Sequence, residues 1–79
     1  TRLNRDEKVR FDNAFNVREK IAESVDSPPN AVFSNDQLFG IATRTLKVDD
    51  IRYGNAIQRS TRNRIEEELN SVFRSPEHT

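Results

Sequence analysis

Two consecutive prolines, Pro28 and Pro29, set the first limit on what this chain can fold into. Each fixes its own φ and pushes the residue before it out of the α region, so a helix arriving from the N-terminal side must stop before Ser27. Upstream of the break, Phe11, Ala14, Phe15, Ile21, Ala22 and Val25 recur at three- and four-residue spacings between Arg5 and Val25. Arg18 fills the one polar slot of that stripe. The period is that of an amphipathic helix with one buried face. Its other side mixes signs, with Asp6 four residues before Arg10 and Lys8 four before Asp12, pairings worth about 0.2–0.5 kcal/mol each on a solvated surface.

Downstream, Asp26 to Asn30 reads as a loop. Ala31, Val32 and Phe33 are too few for an independent strand and suffice for one rung of a small sheet. Ser34 followed three residues later by Gln37 is a capping-box pattern, and Phe33 can staple onto Leu38. A second helix therefore starts at Asn35 and runs through Leu38, Phe39, Ile41 and Ala42 to Leu46, with Gly40 permitting a close approach. Between Lys47 and Gly54 two readings compete: Asp49 capping a helix from Asp50, or a Gly54-Asn55 turn with Asn55 as cap and Gln58 as its third-position partner. The second is preferred, with Val48, Ile51 and Tyr53 packing the connection onto the core. The third helix then spans Asn55 to Phe73, with an inner stripe of Ile57, Thr61, Ile65, Leu69, Val72 and Phe73. Ser75-Pro76 closes it, and Glu77 to Thr79 are expected to fray.

These elements make an all-α, compact three-helix domain on a helix-turn-helix or winged-helix-like pattern, with Phe33 and Val72-Phe73 available for a minimal strand pair. The expected core is Phe11, Phe15, Ile21, Phe33, Leu38, Phe39, Ile41, Leu46, Ile57, Ile65, Leu69 and Val72. At 79 residues the chain is one small domain, able to bury roughly 60 % of its unfolded surface. It begins at Thr1 without a methionine and reads as a fragment of a larger protein. No apolar run approaches the roughly 18 residues that a bilayer span needs, so a soluble, intracellular setting with no membrane partner is expected.

Lys plus Arg and Asp plus Glu are each 13, so bulk attraction to a polyanion is absent and any electrostatic function rests on local patterning. The one sign-segregated stretch is Ile51 to Ile65. It holds Arg52, Arg59, Arg62 and Arg64 without an acid, between Asp49-Asp50 and Glu66-Glu67-Glu68. Arginines at the head of a helix oppose its dipole, an order that stability alone would reverse. Arginine, asparagine and glutamine are also the side chains that pair with phosphates and with guanine and adenine edges. The reading is a non-catalytic DNA-binding domain using the front half of its third helix, through Arg52, Asn55, Gln58, Arg59, Arg62, Asn63 and Arg64. Against it, Arg62 and Arg64 stand four residues before Glu66 and Glu68 and can pair with them.

Catalysis has little to work with. The only histidine, His78, is in the expected tail, no glycine-rich phosphate loop exists, and cysteine is absent. Asp49 and Asp50 match no metal loop, so neither metal nor cofactor is expected. The alternative reading is a protein-interaction or self-association module. It rests on the broad apolar arc of the second helix, together with Val9, Val17 and Phe73, which the three-helix core does not consume. The order of a long helix, a short apolar segment, a capped helix and a basic-headed helix is similar to that of small winged-helix modules appended to larger DNA-handling proteins.

Overall fold

The structure, a computed structural model, describes residues 2–74 and the side chains of residues 2–73. The expected stop at Ser75-Pro76, the fraying of Glu77 to Thr79, and His78 lie outside the described residues. Helix α1 (Arg5–Ser24) opens on a complete capping box: Glu7 N–H donates to Asn4 Oδ1 at 2.8 Å, and Asn4 N–H donates to Glu7 Oε1 at 3.0 Å. At its far end Asp26 takes a left-handed φ of 56°, and Ser27 N–H returns to Ala22 O at 2.9 Å.

The prolines do more than break the chain. Pro28 is extended, and Pro29 is the first residue of a one-turn helix, α2 (Pro29–Val32), where its missing N–H has no partner to lose. The loop expected over Asp26 to Asn30 therefore ends at Pro28, and Ala31 and Val32 are helical. Phe33 is extended and buried, but the described residues contain no strand, and Val72 and Phe73 belong to a helix. The minimal strand pair does not form among them.

Helix α3 (Asn35–Thr43) starts where its cap predicts, with Gln37 N–H donating to Ser34 Oγ at 3.4 Å. It stops before Leu46 because Arg44 adopts a left-handed φ of 67°, and the Thr45 and Leu46 amides both turn back to Gly40 O, at 2.9 and 3.0 Å. A Cβ on Gly40 would stand 2.9 Å from Leu46 Cβ, so this reversal uses the close approach that glycine permits. A 3-10 turn at Val48–Asp50, an extended run and a turn at Asn55-Ala56 follow.

Helix α4 (Arg59–Arg74) is the expected third helix, begun four residues later than Asn55. The delay has a packing cause. Gly54 lies against the backbone of α2, with Gly54 N–H donating to Val32 O at 3.3 Å and a Cβ there standing only 2.1 Å from Ala31 O. Ile57 then turns into the core, its amide donating to Gly54 O at 3.1 Å, before the helix can start. Residues 44–58, rather than a tight turn, connect α3 to α4.

Helix α1 is the hub, packing on α2, α3 and α4. The core is Ala14, Val17, Ile21 and Ala22 of α1 with Val32, Phe33, Leu38, Ile41, Ile51, Ile57, Ile65 and Leu69. Phe15 and Phe39, expected inside, are 38 % and 39 % exposed. The buried stripe of α1 is centred on Ala14, Val17 and Ile21, which places Phe11 and Phe15 at its edge. There the rings gather on one another: Phe11 lies 4.9 Å from Phe39 and 6.4 Å from Phe15, centroid to centroid. Phe11 and Leu46 are partly buried and Val72 is half-buried. Val17 is a core residue after all, whereas Val9 is exposed.

The polar slot at Arg18 is buried with the stripe, only 4 % exposed. Its Nη1 donates to Phe33 O at 3.2 Å and to Asn35 Oδ1 at 2.9 Å, and the guanidinium lies near the rings of Phe15 and Phe33. Arg10 does not use its four-residue partner Asp6. It turns inward, donating from Nε to Ala42 O at 3.2 Å and from Nη2 to Ile41 O at 2.9 Å, and so closes the C-terminal end of α3.

Candidate nucleic-acid interface

The acid-free stretch is pinned at three points. Ile51, Ile57 and Ile65 are buried, and the polar residues between them are displayed by that anchoring. The first loop of the stretch is fastened by Gln37. Its side-chain amide donates from Nε2 to Arg52 O at 2.8 Å, and its Oε1 accepts the Arg52 N–H, so one side chain pairs with both backbone groups of Arg52 as a neighbouring strand would. Gln37 completes no reciprocal capping box; its amide also reaches Ser34 Oγ at 3.3 Å.

Tyr53 is half-buried and meets the Phe33 ring edge-on at 6.3 Å. Its hydroxyl donates to Glu66 Oε2 at 3.4 Å. Burial first, and the Glu66 carboxylate second, push the phenol above its usual range. The Arg62 guanidinium sits 5.6 Å from the Tyr53 ring centroid, and Arg62 Nε donates to Ile57 O at 3.0 Å. Arg62 is thereby part of the joint between the loop and α4. The expected pairing of Arg62 with Glu66 is replaced by these two contacts.

Arg64 follows the expectation of pairing. Its Nε donates to Glu68 Oε2 at 3.2 Å, and Glu68 also binds Lys20 of α1. The hydrogen bond from Lys20, more than any other cause, holds the Glu68 carboxyl below its usual range, with Arg64 adding to it and partial burial opposing. One glutamate thus anchors α4 to α1 and occupies one arginine.

Arg59 differs from both. It is exposed in the first turn of α4, a turn without an acidic residue, and Asn63 is exposed one turn further along. Arg52, Asn55 and Gln58 are exposed as well, on the loop before α4, whereas the expectation put them in the front half of the helix. Among the described residues the ion pairs are Arg18–Glu19, Lys20–Glu68 and Arg64–Glu68, and none includes Arg52, Arg59 or Arg62. The seven residues singled out in the sequence therefore divide. Arg52, Asn55, Gln58, Arg59 and Asn63 face outward, Arg62 is drawn into the scaffold, and Arg64 is tied to Glu68.

The outward set consists of guanidinium and carboxamide donors beside the free amides that open any α-helix, a combination suited to holding anions and base edges. Sequence reasoning missed Gln37 as the residue that positions Arg52. The Ser34 spacing gave a local explanation for it, and only the fold reveals the longer-range partner. Among the described residues no group of three acidic, histidine or cysteine side chains is placed to hold a metal ion, and no helix is long and apolar enough to cross a membrane.

No curated protein and no solved structure matches the chain. A family model does match, over residues 7–47, which take in nearly all of α1, α2, α3 and the reversal at Gly40, 41 of the chain's 79 residues. On that match the chain belongs to the HRDC domain family.

Proposed function

We propose that this HRDC domain is a non-catalytic DNA-binding module whose contact surface is Arg52, Asn55, Gln58, Arg59 and Asn63, with Arg62 and Arg64 at its margins. HRDC domains are small all-α domains associated with nucleic acid or with protein partners. The observation that carries the DNA reading is Arg59, exposed at an acid-free helix head beside a loop that holds Arg52 outward. A backbone phosphate at the head of α4 would meet the helix amides and the Arg59 fork together. Arg52 would take a second phosphate, and Asn55, Gln58 and Asn63 would reach base edges. Ile57, Ile65 and Leu69, all buried, hold this surface from behind.

Anisotropy titrations of labelled duplex and single-stranded DNA over a salt series test the reading. Each phosphate contact contributes about −0.9 to the slope of log affinity against log salt, so two or three contacts give roughly −2 to −3. The Arg52→Ala/Arg59→Ala variant is expected to bind about tenfold more weakly or worse. No binding at low salt, or unchanged affinity in that variant, refutes the reading.

A protein-partner reading has one specific observation in its favour, the ring cluster of Phe11, Phe15 and Phe39, with two of its members exposed. Self-association through it predicts a mass that rises with concentration in light scattering, and a constant monomer mass counts against that form of it.

A further inference from the structure

A second cationic region shares no residue with the surface just described: the first half of α1, the turn after α3 and the end of α4 border an open cleft of about 370 Å³. Its polar lining is Arg10, Arg44, Lys47, Asp49 and Asn70, and Phe73 forms an apolar wall. Three cations face one carboxylate. Among the described residues, none of the three makes an ion pair within 4.0 Å, Asp49 included.

Arg10 is held on two sides. Two of its nitrogens are spent on the carbonyls of Ile41 and Ala42, and its guanidinium stacks 4.1 Å from the Phe73 centroid. Those acceptors are neutral, so they fix the group without cancelling its charge. Nη1 is left over to donate into the cleft. Arg44 and Lys47 are exposed and flank it, Arg44 placed there by its left-handed backbone at the end of α3. Partial burial, and then the nearby charge of Arg44, lower the Arg10 pKa from its ordinary value.

We infer that this cleft is a phosphate-binding site, separate from the Arg52–Asn63 surface. A guanidinium fixed in advance with Nη1 left to donate, two exposed cations at the rim and a carboxamide donor suit a tetrahedral oxyanion that accepts several hydrogen bonds. A terminal phosphate and an internal backbone phosphate present the same chemistry to it, and the experiment separates them.

The experiment follows backbone amide shifts of the isotope-labelled 79-residue chain in three titrations: inorganic phosphate, a short oligothymidylate with a 5′-phosphate, and the same oligonucleotide without it, against a chloride control of equal ionic strength. Saturable shifts confined to Arg44–Asp49, Asn70 and Phe73 are expected with inorganic phosphate. Tighter binding of the 5′-phosphorylated strand assigns the site to terminal phosphates, and equal binding of both strands assigns it to the backbone. In an Arg44→Gln/Lys47→Gln variant, which leaves the Arg10 scaffold intact, the response should weaken by about tenfold or more. Chloride reproducing the shifts, no saturable response, or a variant that titrates like the parent overturns the inference. The Arg52→Ala/Arg59→Ala variant keeps the cleft's response to inorganic phosphate while its DNA affinity falls, so failure of one site is distinguishable from failure of the other.

Discussion

The inner face of α1 and the first residue of α4 both carry arginine, and the two places use it in opposite ways. In α1, Arg10 and Arg18 are surrounded by acids in the sequence, yet they point inward and end on the carbonyl oxygens of Ile41, Ala42 and Phe33. At the front of α4, Arg59 stands among neutral residues and stays in water. Sequence-local charge marks where cations are not neutralised by neighbours. Carbonyls at helix ends and breaks, which no charge count includes, decide which cations become structural.

The comparison breaks first at Arg18. Removing this side chain leaves Phe33 O and Asn35 Oδ1 without their donor and opens space between two rings, so Arg18→Ala should cost about 3 kcal/mol. For a domain of this size that is a fall in Tm of roughly 12–24 °C by circular dichroism. Arg18→Met should recover part of it, because Nε has no partner and the stem packs as a methionine would. An unchanged Tm in the alanine variant would dissolve the distinction between the two regions.

The next effect concerns what holds the α4 side in place. Gly54→Ala forces a methyl into Ala31 O and should lower stability by about 1–3 kcal/mol in urea titrations. It should also weaken DNA binding, since the loop that carries Arg52 must shift. Retained stability would mean that the loop is not pressed on α2.

Acid tests the link between the regions, Lys20–Glu68–Arg64. The folded pKa of Glu68 is depressed, so its contribution is full above the ordinary glutamate value of about 4.3 and is lost as pH falls through the lower folded value. Glu68→Gln should remove that part of the acid sensitivity and cost no more than about 1 kcal/mol at neutral pH, both partners being more than half exposed. Parallel pH–stability curves for the parent and the variant would contradict the link.

The smallest effect sharpens the comparison most. Arg59→Ala should change stability by less than about 0.5 kcal/mol, while an equivalent change at Arg18 is severe.

Much of this architecture is legible before folding. The capped start of α3, the extent of α1 and the burial of Ile57, Ile65 and Leu69 follow from spacing and caps, and even the interior position of Arg18 is marked by its place in an apolar stripe. What escapes is set by contacts distant in sequence. Asn55 looks like a cap, yet Gly54 against Ala31 delays the helix to Arg59. Phe15 and Phe39 look like core, yet the buried stripe of α1 is centred on Ala14, Val17 and Ile21 and leaves the rings at the rim. Of the candidate site, the exposed Arg52, Asn55, Gln58, Arg59 and Asn63 were recognisable by type. The capture of Arg62 by Ile57 O and Tyr53 was not, because its alternative partner Glu66 is the nearer one in sequence.

The pairing of Gln37 with the Arg52 peptide makes that loop individually releasable. A strand partner would have to leave as a unit, whereas here one side-chain rotation frees both hydrogen bonds. The Arg52 amide proton is therefore a built-in reporter. Its exchange with deuterated solvent should read the opening of this one loop at a free-energy cost well below global unfolding, and should slow when a ligand holds Arg52 in place.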